Sequence, residues 1–287
     1  MEYRRLPLGG IRNIRDLGGY PTKDGGVTAF RRYIRSEAPK SISAKDIEFL
    51  KAYGVTLVID FRGDEEIKRI PNGLADVAGI EYARCVTFDR QVAFTSRTDG
   101  DYKRPADEKH TADEKQPADE KQPADEKPAD EKAAEEKRPT MDAFVDWGEK
   151  YIEIVEKSGD WVRDTLRLMA NANGGVIFNC ATGKDRTGII SALLLGIADV
   201  ADYDIIADYT VSELYLRELY EEMLTMYLER WPNEKADINS PFFKTAPVNM
   251  ETLLKHINEA RGGAAGYIKS CGITDVEIAS LRKRFIK

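Results

Sequence analysis

Two short runs interrupt the alternation of apolar and polar positions along the chain. Val55-Thr56-Leu57-Val58-Ile59 and Val176-Ile177-Phe178 are almost wholly apolar, rich in β-branched residues, and too short for stable helices. Such runs predict strands buried on both faces, as in a parallel sheet. Glu81 to Phe88, holding Cys85, predicts a third strand, and Val27 to Ser36 also has strand character. Other segments repeat at helical spacing. Ile47, Leu50 and Tyr53 follow a Ser43-Ala44-Lys45-Asp46 helix start. Phe144, Trp147, Tyr151 and Ile154, then Trp161 and Leu166, mark helix across 141–169, and an aromatic-rich pattern marks 205–228. Ile189 to Val200 is apolar on every side, which predicts a central helix. Strands alternating with helices give an α/β fold, a mostly parallel sheet flanked by helices.

One segment breaks the pattern. From about 99 to 139, Pro105-Ala106-Asp107-Glu108-Lys109 recurs with small changes and without a large apolar residue. Such a stretch cannot offset its ordering entropy, and a solenoid would need a buried face it lacks. It is expected to be a solvated insert in a single domain spanning 1–287. Twelve acidic against seven basic residues in 105–138 account for −5 of the chain's net charge of −7. A binding arm for a basic partner is the second reading of the insert.

Composition narrows the function classes. The negative net charge argues against a nucleic-acid binder that relies on a basic field. Cys85, Cys180 and Cys271 lie far apart, and the two histidines are His110 and His256, so neither a metal site nor a Ser-His-Asp triad is expected. No cofactor is implied. No run reaches membrane-spanning length, and the amino terminus opens onto no apolar leader, so a cytoplasmic protein without stable membrane insertion is expected.

The chemistry gathers after the second run, in Cys180-Ala181-Thr182-Gly183-Lys184-Asp185-Arg186-Thr187-Gly188. A strand, a tight loop and an apolar helix in succession aim several backbone N–H groups and a helix dipole at one point, a natural seat for a phosphate-sized anion. The same field favours a thiolate on Cys180. Across five intervening residues, Arg186 can clamp two phosphate oxygens in parallel. Nucleophile, cradle and clamp predict cysteine-dependent phosphoester hydrolysis through a phosphocysteine. A catalytically inactive phosphate-binding module and a sulfurtransferase are the alternatives. The first would lack the nucleophile or the arginine, and the second gains nothing from a bidentate arginine.

This Cys-x5-Arg-Thr-Gly loop resembles the signature of the protein tyrosine phosphatase superfamily, and C-x-x-G-K-D-R-T-G is similar to the bacterial "family 3" tyrosine phosphatases, some of which also take phosphoinositides. Asn13-Ile14-Arg15-Asp16-Leu17-Gly18-Gly19 resembles the family's amino-terminal signature, and Gly266 to Asp275 its closing helices. The resemblance implies a tyrosine-phosphatase-like fold and a phosphorylated protein or phosphoinositide as substrate. It further implies phosphate contacts from Ala181, Thr182, Gly183, Lys184 and Arg186, and Asp185 as the general acid. Asp60 is the second candidate acid and Asp89 the third. Thr187, after the arginine, is placed to hydrogen-bond the thiolate, or is simply a helix-terminus hydroxyl. Asn179 stands where the family has histidine.

Five residues carry two readings each. Asp60 and Arg62 either reach the rim of the Cys180 loop or pair with each other. Lys184 either meets extra negative charge on the substrate or neutralises Asp185. Asp16 either caps a local turn or belongs to a segment bordering the site. Cys85 is either a buried inert thiol or a disulfide partner for Cys180. Trp231-Pro232-Asn233 is set aside as a mobile acid loop, since it follows the cysteine and has Asn in place of the acid.

Overall fold

The computed structural model describes residues 3–87, 145–233 and 235–287. Among them five strands form one sheet in the order β1-β2-β5-β3-β4. These are β1 Arg15–Asp16, β2 Tyr33–Glu37, β3 Val55–Asp60, β4 Glu81–Arg84 and β5 Gly175–Cys180. The pairs β2–β5, β5–β3 and β3–β4 are parallel, and the two-residue β1 pairs antiparallel with β2. The expected α/β architecture, a mostly parallel sheet flanked by helices, is the one observed.

The two apolar runs are the inner strands. Side chains alternate across a strand, and Val176, Phe178 and Cys180 join one apolar cluster while Ile177 joins the other. Both faces are therefore covered, which is why these runs are continuously apolar. Parallel register brings the carboxyl ends of three strands to one edge, with Glu37 opposite Cys180 and Asp60 opposite Asn179.

Helices α1 Ala44–Tyr53 and α2 Asp64–Arg69 precede α3 Trp147–Lys157 and α4 Gly159–Asn171. Then come α5 Asp185–Ile197, α6 Asp202–Arg230, α7 Pro247–Arg261, α8 Gly263–Ser270 and α9 Asp275–Phe285. Helix α1 starts where its cap predicts: Ser43 Oγ accepts from the Asp46 N–H at 3.1 Å. Helix α5 is buried along nearly its whole length, as its apolar sequence requires.

Several boundaries differ from expectation. The strand in 27–36 begins only at Tyr33, because Arg31 turns the chain with φ of 65°. Strand β4 stops at Arg84, leaving Cys85 just beyond it as a buried free thiol whose N–H reaches the Asp60 carbonyl at 3.0 Å. The helical pattern in 141–169 splits at Ser158, and that in 205–228 is one helix of 29 residues. The carboxyl-terminal half of α6 builds a separate small core from Leu216, Leu219, Tyr220 and Tyr227 with Phe243. The expected insert at 99–139, together with His110, Phe88, Asp89 and Phe144, lies outside the described residues. No helix among the described residues is long and apolar enough to cross a membrane.

Candidate active site

Strand β5 delivers Cys180 to the carboxyl edge of the sheet, 2% exposed, with α5 starting at Asp185. The connecting loop is tight because Gly183 adopts φ of 70°, and a Cβ there would sit 2.4 Å from the Ser36 carbonyl oxygen. Three of the loop's carbonyls are bonded to the surrounding scaffold, and the fourth opens the hydrogen bonding of α5. Ala181 O accepts from Ala38 N–H at 3.2 Å and Thr182 O from Asn13 Nδ2 at 2.9 Å. Gly183 O accepts from Arg35 Nη2 at 2.7 Å, and Lys184 O from Gly188 N–H at 3.0 Å. In a planar trans peptide the N–H points opposite to the carbonyl. The N–H groups of 182–185 are therefore turned to the inner side of the loop. The first N–H groups of α5 have no intrahelical partner and add to the same field.

Arg186 stands on the first turn of α5 and is buried. Its Nη1 donates to Glu66 Oε2 at 2.9 Å and to the Phe61 carbonyl at 3.1 Å, and its Nη2 donates to Glu66 Oε1 at 2.8 Å. Glu66, from α2, also accepts the Gly63 N–H at 3.0 Å, which anchors the carboxylate. Burial alone would loosen the arginine's proton, but the Glu66 bonds and the neighbouring Cys180 charge outweigh it and raise its pKa. Arg186 Nε and Thr187 Oγ1 remain buried without a hydrogen-bond partner in the structure. Buried donors of this kind are rare unless a ligand completes them.

Asp185 and Lys184 flank the arginine. Tyr151 donates its hydroxyl to Asp185 Oδ1 at 2.5 Å, and Tyr151 and Tyr209 hydroxyls lie 2.8 Å apart. Lys184, 3% exposed, donates from Nζ to the Phe242 carbonyl at 2.8 Å and lies over the Trp147 ring at 4.6 Å. Its distance to Asp185 Oδ1 is 3.8 Å. The ammonium therefore does more than neutralise Asp185: it pins the 3-10 turn Pro241–Phe243 to the loop.

For Asp60 and Arg62 the structure supports the pair and not the rim. Arg62 Nη2 donates to Asp60 Oδ2 at 2.7 Å and Nε to Oδ1 at 3.0 Å, with Asn72 and Tyr82 adding donors at 2.8 and 3.1 Å. Burial pushes this carboxyl up, yet Arg62 and Asn72 together hold it below the ordinary range. A carboxylate kept ionised by its donors is poorly suited to donating a proton. Asn179 is buried, accepting weakly from Asn72 at 3.3 Å and donating to the Cys180 carbonyl at 3.4 Å.

Both readings of the amino-terminal segment hold. Asp16 caps the turn, accepting Gly18 N–H and Arg31 N–H at 2.7 Å each. Asn13 meanwhile borders the loop through its bond to Thr182 O. Behind them lies a buried cluster that the sequence did not reveal. Asp208 on α6 pairs with Arg15 at 2.8 Å and with Arg35 at 2.5 Å, and Arg35 in turn holds Gly183 O. Burial raises the Asp208 carboxyl, but Arg15 and Arg35 bring it down to about 2. Glu66, Tyr151 and Tyr209 are likewise site residues absent from the expected set. The sequence signals were for Tyr151, an aromatic on the buried stripe of α3, and for Tyr209, within the aromatic-rich pattern of 205–228. Among the described residues no three histidine, cysteine or acidic side chains gather as metal ligands would.

Comparison with known proteins agrees with this geometry. The chain is 30% identical over 158 residues to a tyrosine-protein phosphatase of Nostoc commune, a match covering 50% of this chain and 51% of that protein. Over 282 residues it is 25% identical to a Cupriavidus necator protein named, provisionally, a tyrosine-protein phosphatase, covering 96% of this chain and 86% of that one. A 116-residue match at 26% identity, 37% of this chain and 42% of the other, reaches a triple specificity protein phosphatase of Mycobacterium tuberculosis. The sequence pattern of one family spans residues 6–287, and on that match the chain belongs to the tyrosine phosphatase family.

Proposed function

We propose that this phosphatase hydrolyses phosphomonoesters, phosphotyrosine in proteins foremost, through a phosphocysteine on Cys180. The observation that carries the reading is the loop itself, where three successive carbonyls bond outward to the scaffold and the fourth opens the hydrogen bonding of α5, so that the N–H groups of 182–185 are directed inward behind Cys180. In the first step the Cys180 thiolate forms an S–P bond while the ester P–O bond breaks. The proton of Asp185 goes to the departing oxygen. The inward N–H groups, Arg186 Nε and the helix dipole stabilise the charge on the equatorial oxygens. Thr187 Oγ1, buried and unpartnered, is available to donate to the sulfur as it leaves. Water then attacks phosphorus, its proton passes to the Asp185 carboxylate, and the S–P bond breaks to release phosphate and restore the thiolate.

Asp60 is set aside as the acid because its donors hold it ionised. A phosphoinositide substrate would call on a second cation beside the cradle. Lys184 is engaged with the Phe242 carbonyl and Trp147, which supports phosphotyrosine over a multiply charged headgroup. The reading keeps one domain over 1–287 with an inserted segment, and places the enzyme in the cytoplasm, where a catalytic thiol stays reduced. Cys180→Ser in the full chain is the test: hydrolysis of an aryl phosphate should be abolished while vanadate still binds, because the cradle is backbone. Turnover near the wild-type rate would overturn the mechanism.

A further inference from the structure

We propose that Asn249, Tyr209 and Tyr151 form a hydrogen-bond chain of fixed direction that keeps the acid proton of Asp185 on Oδ2, and so act as positioning residues for leaving-group protonation. This rests on the reading of Asp185 as the general acid. Three contacts build the chain. Asn249 Nδ2 donates to the Tyr209 hydroxyl at 3.3 Å, the Tyr209 and Tyr151 hydroxyls are 2.8 Å apart, and Tyr151 donates to Asp185 Oδ1 at 2.5 Å. A phenol has one proton to give. Tyr151 spends its proton on Asp185, so its oxygen must accept from Tyr209. Tyr209 has then spent its own proton, and its oxygen accepts from Asn249, whose amide nitrogen can only donate. Every hydroxyl is satisfied in this direction. The reverse direction, with the proton on Oδ1, would set the Asn249 N–H against the Tyr209 proton.

The surroundings make the chain rigid. Tyr151 and Tyr209 are both buried, with rings 5.9 Å apart in an edge-to-face arrangement. Burial raises both phenols, so they remain hydroxyl donors and do not ionise in the working pH range. Tyr209 follows Asp208, whose carboxylate is locked between Arg15 and Arg35. Its ring also lies against Gly188, where an added Cβ would meet Tyr209 Cδ2 at 3.3 Å. The second oxygen of Asp185 takes no hydrogen bond among the described residues, and is the one left to carry and release a proton. Groups near the chain include Lys184 at 3.8 Å from Asp185 Oδ1, Arg186 beside Asp185, Arg35 beside Gly188, and the buried Tyr220, which feels both Asp185 and Tyr209.

The experiment is a leaving-group series. kcat/KM would be measured for aryl phosphates whose phenols range from strongly to weakly acidic, using the full chain, Tyr151→Phe, Asn249→Asp and Asp185→Asn. A highly acidic phenol departs without help, whereas a weakly acidic one needs the proton. Tyr151→Phe should leave the first class nearly unchanged and slow the second by roughly tenfold or more, a part of what general-acid catalysis supplies. Asn249→Asp, at a half-buried position and unable to donate, should steepen the dependence in the same sense with an unchanged melting temperature. If Asp185→Asn steepens the series and neither other variant does, the chain is overturned and Asp185 stands as the acid. If Asp185→Asn leaves the slope unchanged, the acid assignment itself fails.

Discussion

Arg186 shows how a residue can be legible while its setting is not. Its place after Cys180, with five residues between, and at the start of an apolar helix is a local pattern. Glu66 lies 120 residues away in sequence and looks there like any acidic residue in a first helical turn. Only the fold shows that both of its oxygens hold the guanidinium, leaving Nε as the unpartnered donor. Glu66→Gln replaces one acceptor oxygen with an N–H group that opposes Nη1 or Nη2. We expect kcat/KM on a simple aryl phosphate to fall by about tenfold or more, in line with about 1.5–3 kcal/mol for a hydrogen bond to a charged group. Folding should be retained, since Gln keeps the shape of this partly buried side chain and one of its two acceptor oxygens. Unaltered kcat/KM would show that Arg186 is oriented without Glu66. Lys184 is the converse case, a residue whose two readings in sequence were both electrostatic. The structure adds a third partner, a backbone carbonyl. Lys184→Ala should therefore lower kcat/KM by similar factors on phosphotyrosine and on multiply phosphorylated headgroups. A selective loss on the headgroups would return it to reading a second charge.

Among the elements, the inner strands and the central helix were legible because burial on every side leaves a contiguous apolar signature. The edges were not. Two-residue β1 has no pattern of its own, and β4 shows one exposed or half-buried residue after another. The helix split at Ser158 breaks no periodicity that a reader could see. Least visible was the tie between β1, β2 and α6, because arginines and an aspartate scattered over nearly 200 positions read as surface charge. In the fold they are buried, and Asp208 is the shared partner. Asp208→Asn would leave two buried guanidiniums without their counter-charge, a loss on the order of 3–5 kcal/mol. The melting temperature should drop by roughly 10 °C, at about 2–4 °C per kcal/mol for a domain of this size. The pH dependence has a definite sign. The folded carboxyl, at about 2, lies below its unfolded value. Its contribution is complete above roughly pH 4 and fades as pH falls toward the folded value. Wild-type stability should thus decline between about pH 4 and 2 more steeply than that of Asp208→Asn. Parallel profiles would mean that Asp208 is not the group lost in acid.

For the whole molecule the question is whether the segment at about 99–139 belongs to the folding unit. Its composition offers no large apolar side chain to bury over the repeats, whereas both flanks do. Cys85 on one side and Trp147 on the other belong to the same apolar cluster, together with Phe178, Tyr151 and the α5 leucines. Chain entering the segment and chain leaving it are therefore anchored in one core. Lengthening or shortening such a connection costs little, about 0.6 kcal/mol per doubling of length, because closure entropy grows with the logarithm of the loop. Replacing 101–138 by a short Gly/Ser linker should keep the melting temperature within a few degrees and kcat/KM for a small aryl phosphate within a few-fold. It would also remove a net charge of −4 from the chain, with 13 acidic against nine basic residues in 101–138. Any change should then be confined to charged protein substrates and shrink as salt screens it. Loss of folding, or of activity toward the small aryl ester, would show that the segment contributes to the core after all.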